Sequence, residues 1–140
     1  MKSEEIYLFL RNCLNQKGYS LSLSQAEFQV LKNRFPDDFP VFSAMDGDKV
    51  VALIATVRVA RNILYVFISG YLPEYSSFSP IVLLTKEIYG FCQRNGIAIL
   101  DLGTSLDHHG QQKPELLKFK KFLGGHVCTK VTYCKVFEEI

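Results

Sequence analysis

Residues 50–60 read Val50-Val51-Ala52-Leu53-Ile54-Ala55-Thr56-Val57-Arg58-Val59-Ala60. Side chains branched at Cβ favour extended backbone, and this stretch is rich in them. Val51, Leu53, Ala55, Val57 and Val59 give one wholly apolar face; Val50, Ala52, Ile54, Thr56 and Arg58 give another that turns polar only towards its end. A strand that is apolar on both faces has to be covered on both, so it belongs inside a sheet flanked by helices. The fold class is therefore α/β in the broad sense that includes α+β.

On the N-terminal side, a short apolar run at 41–45 leads through Asp46-Gly47-Asp48 into this strand, the pattern of a hairpin. Earlier still, Ile6, Phe9, Leu10, Cys13 and Leu14 recur at helical spacing over 3–17, and Gly18 supplies a stop. A second helix is predicted from Ser24, whose hydroxyl caps while Glu27 reaches back; Phe28, Leu31 and Phe35 line one side until Pro36. On the C-terminal side, Arg61-Asn62 turn the chain and 63–69 continue the sheet. Residues 70–79 form a connection rich in Gly, Pro and Ser, ending at Ser79-Pro80, where serine is expected to cap a helix and proline to occupy its first turn. Its stripe is Ile81, Leu84, Ile88 and Phe91; it runs to about Arg94, and Asn95-Gly96 gives a left-handed exit. A short buried strand at 97–102 and a polar loop at 103–113 follow, then a helix opened by Pro114 and stopped at Gly124-Gly125, then a closing strand at 127–137. The order is α-α-β-β-β-α-β-α-β: a mixed, mostly antiparallel central sheet with helices on both faces, in a single domain spanning 1–140.

Composition narrows the function classes. The 140 residues are 48% hydrophobic and 21% charged, enough for one core built without metal or disulfide support. A net charge of +2 without a basic stripe argues against a nucleic-acid partner. Lys113, Lys118, Lys120, Lys121 and Lys130 gather in the last third beside Glu115, as on a solvated helix face. No stretch approaches the ~20 apolar residues that a bilayer demands, and Met1-Lys2-Ser3-Glu4-Glu5 is too acidic for a secretory signal, so no membrane partner and a cytoplasmic location are expected. Cys13, Cys92, Cys128 and Cys134 show no C-x-x-C spacing; reduced, buried thiols are expected, and no metal site.

Two local motifs carry a resemblance. Leu100-Asp101-Leu102-Gly103-Thr104-Ser105 is followed, after a gap, by Leu117-Lys118-Phe119-Lys120-Lys121-Phe122-Leu123-Gly124-Gly125. With Pro80, Leu84 and Asn95-Gly96 ahead of them, and with the element order above, they resemble the acyl-CoA N-acyltransferase (GNAT) superfamily, in particular its FemAB-like branch. The resemblance implies a GNAT-like domain that transfers an acyl or aminoacyl group to a primary amine on a small molecule or peptide. Its donor would be acetyl-CoA or another acyl-CoA, with no metal; nucleic acid would enter only as an aminoacyl-tRNA donor. The chain departs from the family in three places. No Arg/Gln-x-x-Gly-x-Gly/Ala turn precedes the helix at Pro80, and Glu74 stands in that stretch. Lys120 occupies the place of a tyrosine that many GNAT enzymes use as acid, which suits the FemAB-like branch. The usual first strand is missing, leaving a short sheet edge that invites a homodimer.

Candidate site residues follow from the resemblance and from the pattern together. Lys120 lies within the arc bounded by Leu116 and Leu117 on its helix, whereas Lys118 and Lys121 point away. It can serve as an acid or stabilise an oxyanion, or its stem can lie along the core with the ammonium in water. Asp101, in an otherwise apolar strand, either orients an incoming amine and accepts its proton or is paired structurally with Lys120 or a backbone amide. His108 and His109 follow Asp107; His108 is a candidate base, and a solvated turn is the plainer reading. Adjacent side chains on an extended loop diverge, so the pair is not expected to hold one ion. Donor binding would fall on Ser77, Phe78, Ser79 and Ile81 at the helix start. Tyr71 and Tyr75, with Tyr133 from the last strand, would line an acyl or peptide groove, although Tyr65, Phe67, Tyr71, Tyr75 and Phe78 also suit ordinary core packing. A second functional class stays open here: a GNAT-like module that has lost donor binding and serves dimerisation or peptide binding within a duplicated FemAB-like protein.

Overall fold

The computed structural model describes residues 1–138. It divides into two compact units, with the boundary between Thr104 and Ser105, and each is described by itself. In the first unit, α1 (Ser3–Gln16) and α2 (Gln25–Arg34) precede β1 (Val41–Asp46), β2 (Lys49–Ala60) and β3 (Ile63–Tyr71); α3 (Pro80–Arg94) and β4 (Ile99–Asp101) follow. The sheet runs β1-β2-β3-β4, antiparallel except for the parallel β3–β4 pair. This is the expected mixed α/β sheet, with α1 and α2 packed on one face and α3 on the other.

Local chemistry accounts for most of these elements. Ser24 accepts the Glu27 amide while the Glu27 carboxylate takes the Ser24 N–H at 2.7 Å, closing the capping box that starts α2. Gly18 and Gly96, at φ +76° and +64°, provide the left-handed exits of α1 and α3. On β2, Leu53 and Ala55 face α1 and α2, while Ala52 and Ile54 face α3. Val51 breaks the expected alternation by siding with Ala52. The register explains it: Ala44 pairs with Ala52 and Met45 with Val50, so Val51 is the extra residue of a bulge and changes face.

Three further expectations need correction. Ser79 does not cap α3 with its side chain; it sits in the left-handed region at φ 49°, and its carbonyl accepts the Val82 and Leu83 amides at 3.0 and 3.3 Å. The expected loop before it contains a 3-10 turn over Pro73–Phe78. The strand expected to be buried over 97–102 is Ile99–Asp101 alone and lies partly exposed, with Ile99 at 51%; it starts where the Ala98 and Ile99 amides bond the Asn62 carbonyl, at 2.9 and 3.1 Å.

In the second unit, a turn at 105–113 carries the Leu106–Gln112 bridge and leads into α4 (Pro114–Phe122). The Gly125 and Gly124 amides then close on Lys120 and Lys121 carbonyls, so the glycine pair ends the helix as expected. Residues 127–137 form no strand among the described residues: Val127, Val131, Tyr133, Val136 and Phe137 all stay exposed. Alternating β-branched residues give propensity, but a strand also needs a paired edge and a covered face. For the same reason Cys128 and Cys134 are exposed, whereas Cys13 and Cys92 are buried; all four thiols are free. Among the described residues no helix is long and apolar enough to cross a membrane.

Candidate functional site

The sheet of the first unit opens into a fork. Strand β3 is paired with β4 only through Ile63–Ile99, Leu64–Leu100 and Tyr65–Asp101. Beyond that point β3 continues through residues 66–71, and no described strand pairs with that edge. An open strand edge presents backbone N–H and C=O groups to whatever lies beside it. Gly103 adopts φ +76° just past β4, where an added Cβ would meet the Tyr65 ring at 3.3 Å. Asp101 accepts the Gly103 amide at 2.8 Å, which fixes the chain as it leaves β4. A backbone amide is thus one partner of this carboxylate, as the sequence allowed.

The β3–α3 connection and the head of α3 carry all four residues expected to bind a donor. Ser77 and Ser79 are exposed and Phe78 is 76% exposed, while Ile81 is half-buried against the α3-side core. Pro80 has no amide, and the Val82 and Leu83 amides are taken up by the Ser79 carbonyl; among the described residues the Ile81 amide has no acceptor. The positive end of the α3 dipole and an N–H without an acceptor among the described residues therefore lie together at the head of the helix. Glu74, which would repel an anion, is paired at the surface: Lys49 Nζ lies 3.2 Å from its Oε1. The Glu74 carboxyl is held below its ordinary range by a hydrogen bond from its own backbone amide, then by Lys49.

The tyrosines are placed unequally. Tyr71 and Tyr75 both pack against the α3-side core. The Lys17 ammonium stands 4.2 Å above the Tyr71 ring. Tyr75 already uses its hydroxyl, donating to Asp46 Oδ2 at 2.7 Å, and that bond chiefly raises its pKa by adding the cost of a phenolate beside a carboxylate. Tyr133 is 90% exposed, in a segment of the second unit that forms no strand among the described residues.

Lys120 and His108 also belong to the second unit. Along α4, Lys120 is half-buried while Lys118 and Lys121 are exposed, matching the wheel. His108 and His109 do not diverge: their ring centroids are 3.9 Å apart, because a tight turn replaces the expected extended loop. Asp107 builds that turn by accepting the His109 and Gln111 amides at 2.8 and 2.9 Å, and the Gln111 amide is the larger cause of its lowered pKa. No group of three or more His, Cys, Asp or Glu side chains suited to a metal occurs among the described residues. Sequence reasoning missed the open β3 edge, since a pairing that stops midway leaves no residue signature, and it missed Asp46 and Lys49, whose partners are far along the chain.

The chain resembles in structure a protein from Clostridium difficile 630 described as a possible acetyltransferase, with a TM-score of 0.71 at 18% identity over 98% of this chain and 92% of that one. An aminoglycoside 6'-N-acetyltransferase from Acinetobacter haemolyticus aligns with a TM-score of 0.67 at 12% identity, covering 99% of this chain and 97% of its own. An aminoglycoside N-acetyltransferase in complex with CoA aligns at 0.68 and 12% identity, covering 95% and 88%. At these identities the likeness concerns the fold. No curated protein matches in sequence. Residues 16–112 match the family described as Acetyltransferase (GNAT) domain, which is more than half of the chain and takes in both the fork and the head of α3; the chain belongs to the GNAT acetyltransferase family.

Proposed function

We propose that the chain is an N-acyltransferase that moves an acyl group, in the simplest case acetyl, from coenzyme A to a primary amine of a small molecule. The observation that carries this reading is the fork: β3 loses its neighbour after Tyr65 and Asp101, and its open edge runs on towards the connection that precedes α3. Residues on both sides fit a donor with an amide-rich arm and phosphates. The edge of β3 can pair with the arm, and the Ile81 amide at the head of α3 can receive a phosphate oxygen. When bound, acyl-CoA supplies a thioester carbonyl that an amine can attack. In the first unit, Asp101 then orients the amine or takes its proton as the thiolate of coenzyme A leaves. In the second unit, taken by itself, Lys120 is the candidate for stabilising developing negative charge. Lys120 follows Phe119 as in the FemAB-like branch, which supports assigning the chain to it.

Structural relatives point to the amines to try first. Aminoglycoside acetyltransferases in complex with CoA and with sisomicin share the fold. Thiol release from acetyl-CoA should rise above the hydrolytic background with at least one amine in a panel of aminoglycosides, polyamines and amino-terminal peptides. Release at background across the panel, with no thermal stabilisation by excess acetyl-CoA, would assign the chain to non-catalytic binding instead.

A further inference from the structure

The connection before α3 lacks the glycines that would let it cradle an anion with backbone alone, so something else must hold its shape. Residues 73–78 instead form a 3-10 turn, followed by Ser79 in a left-handed conformation that a residue with a Cβ adopts only when its surroundings impose it. Three contacts from one distant place reach this turn. Tyr75 donates its hydroxyl to Asp46 Oδ2 at 2.7 Å, Lys49 Nζ bonds Glu74 Oε1 at 3.2 Å, and the same ammonium stands 5.2 Å from the centre of the Tyr75 ring. Asp46 and Lys49 are themselves paired across the tight turn that joins β1 to β2, with Gly47 at φ +57° between them. Both anchors thus sit at the paired end of a tight hairpin. Tyr75 passes the restraint on: its ring packs on the α3-side core and lies 6.2 Å from the ring of Phe78, next to Ser79.

We infer that the β1–β2 turn is a brace for the donor-binding connection, with Asp46, Lys49, Glu74 and Tyr75 as positioning residues that replace a glycine-rich turn. The inference deepens the proposed function and rests on it for the identity of the donor. Lys49 has two effects. It holds Glu74 in place, and it cancels a negative charge that would oppose phosphate on the same turn. Tyr75 has one, geometric, effect. The two are separable because removing the Tyr75 hydroxyl changes no charge, whereas removing the Lys49 ammonium uncovers one.

The test uses the full chain and acetyl-CoA. Tyr75→Phe should weaken acetyl-CoA binding about three- to tenfold, the size of one partly exposed hydrogen bond to a charged group, while kcat at saturating donor changes less than about twofold. Amide exchange in 73–79 should quicken without ligand, and Tm should stay within about 2 °C because the contacts lie at the surface. Lys49→Met should weaken binding further in low salt, and adding Glu74→Gln should recover the part due to charge. Unchanged affinity and unchanged exchange in Tyr75→Phe overturn the brace; so does a fall in Tm with both kinetic constants intact, which marks a merely structural contact. Should the parent chain bind no acetyl-CoA, the donor reading fails by itself, and the exchange rates of 73–79 still decide whether the hairpin holds the turn.

Discussion

Gly70→Val should lower the free energy of unfolding by about 3 kcal/mol, the upper end of what overpacking a buried site costs. Gly70 is buried on β3 beneath α1, and its φ is not positive, so any residue could adopt its backbone. Space is the constraint. A Cβ built there would lie 2.7 Å from Cys13 Cβ and 3.2 Å from its sulfur. The sulfur can rotate away, but the Cys13 Cβ is fixed to the helix, so α1 itself has to lift from the sheet. That movement would loosen Ile6, Tyr7 and Leu10, which form one core cluster with Phe28, Leu53 and Ile68. Urea unfolding followed by circular dichroism measures the loss. Cys13→Ala should not rescue it, since the offending carbon remains, whereas Cys13→Gly should rescue part of it. A loss below about 0.5 kcal/mol would mean that α1 and β3 are not in this close contact.

The largest effect on activity is expected at α4. Lys120→Ala should reduce kcat/KM about 100-fold or more if its ammonium stabilises charge in the transition state, and Lys118→Ala should change it less than about twofold. The contrast comes from one turn of helix: Lys120 is half-buried, and Lys118 and Lys121 are exposed. Since the lysine stem also packs, Lys120→Met separates the roles, keeping the apolar length and removing the charge. Equal kcat/KM for the Lys118 and Lys120 variants would remove Lys120 from the chemistry.

The fold was legible wherever a local rule had no competitor. The Ser24–Glu27 capping box, the stop at Gly18, the Asp46-Gly47-Asp48 turn and the glycine pair after α4 all follow from short-range chemistry. Sequence alone misplaced what depends on distant partners. Val51 changes face because its neighbour strand pairs around it, and no alternation rule within β2 can report that. Ser79 looked like a cap because serine before Pro80 usually is one; here the preceding 3-10 turn delivers the chain in a left-handed state, which turns the carbonyl rather than the hydroxyl to the helix. Residues 127–137 carry strand residues, yet their apolar side chains remain exposed, because pairing is a property of two strands and not of one.

The candidate site divides along the same line. Ser77, Phe78, Ser79 and Ile81 fall together because they are adjacent at the head of a helix that proline announced. Tyr75, by contrast, was expected to line an acyl or peptide groove, and its hydroxyl is bonded to Asp46, a partner 29 residues away that no local pattern announces. The fork itself is a matter of where pairing between β3 and β4 stops, which only the register reveals.

The most direct test of the central claim, that the open edge of β3 and the head of α3 receive an acyl-CoA donor, is amide hydrogen exchange with and without saturating acetyl-CoA. Slower exchange concentrated in residues 66–72 and at Ile81 is the expected result. Exchange left unchanged in both places at saturating ligand, or slowed only elsewhere in the chain, would contradict it.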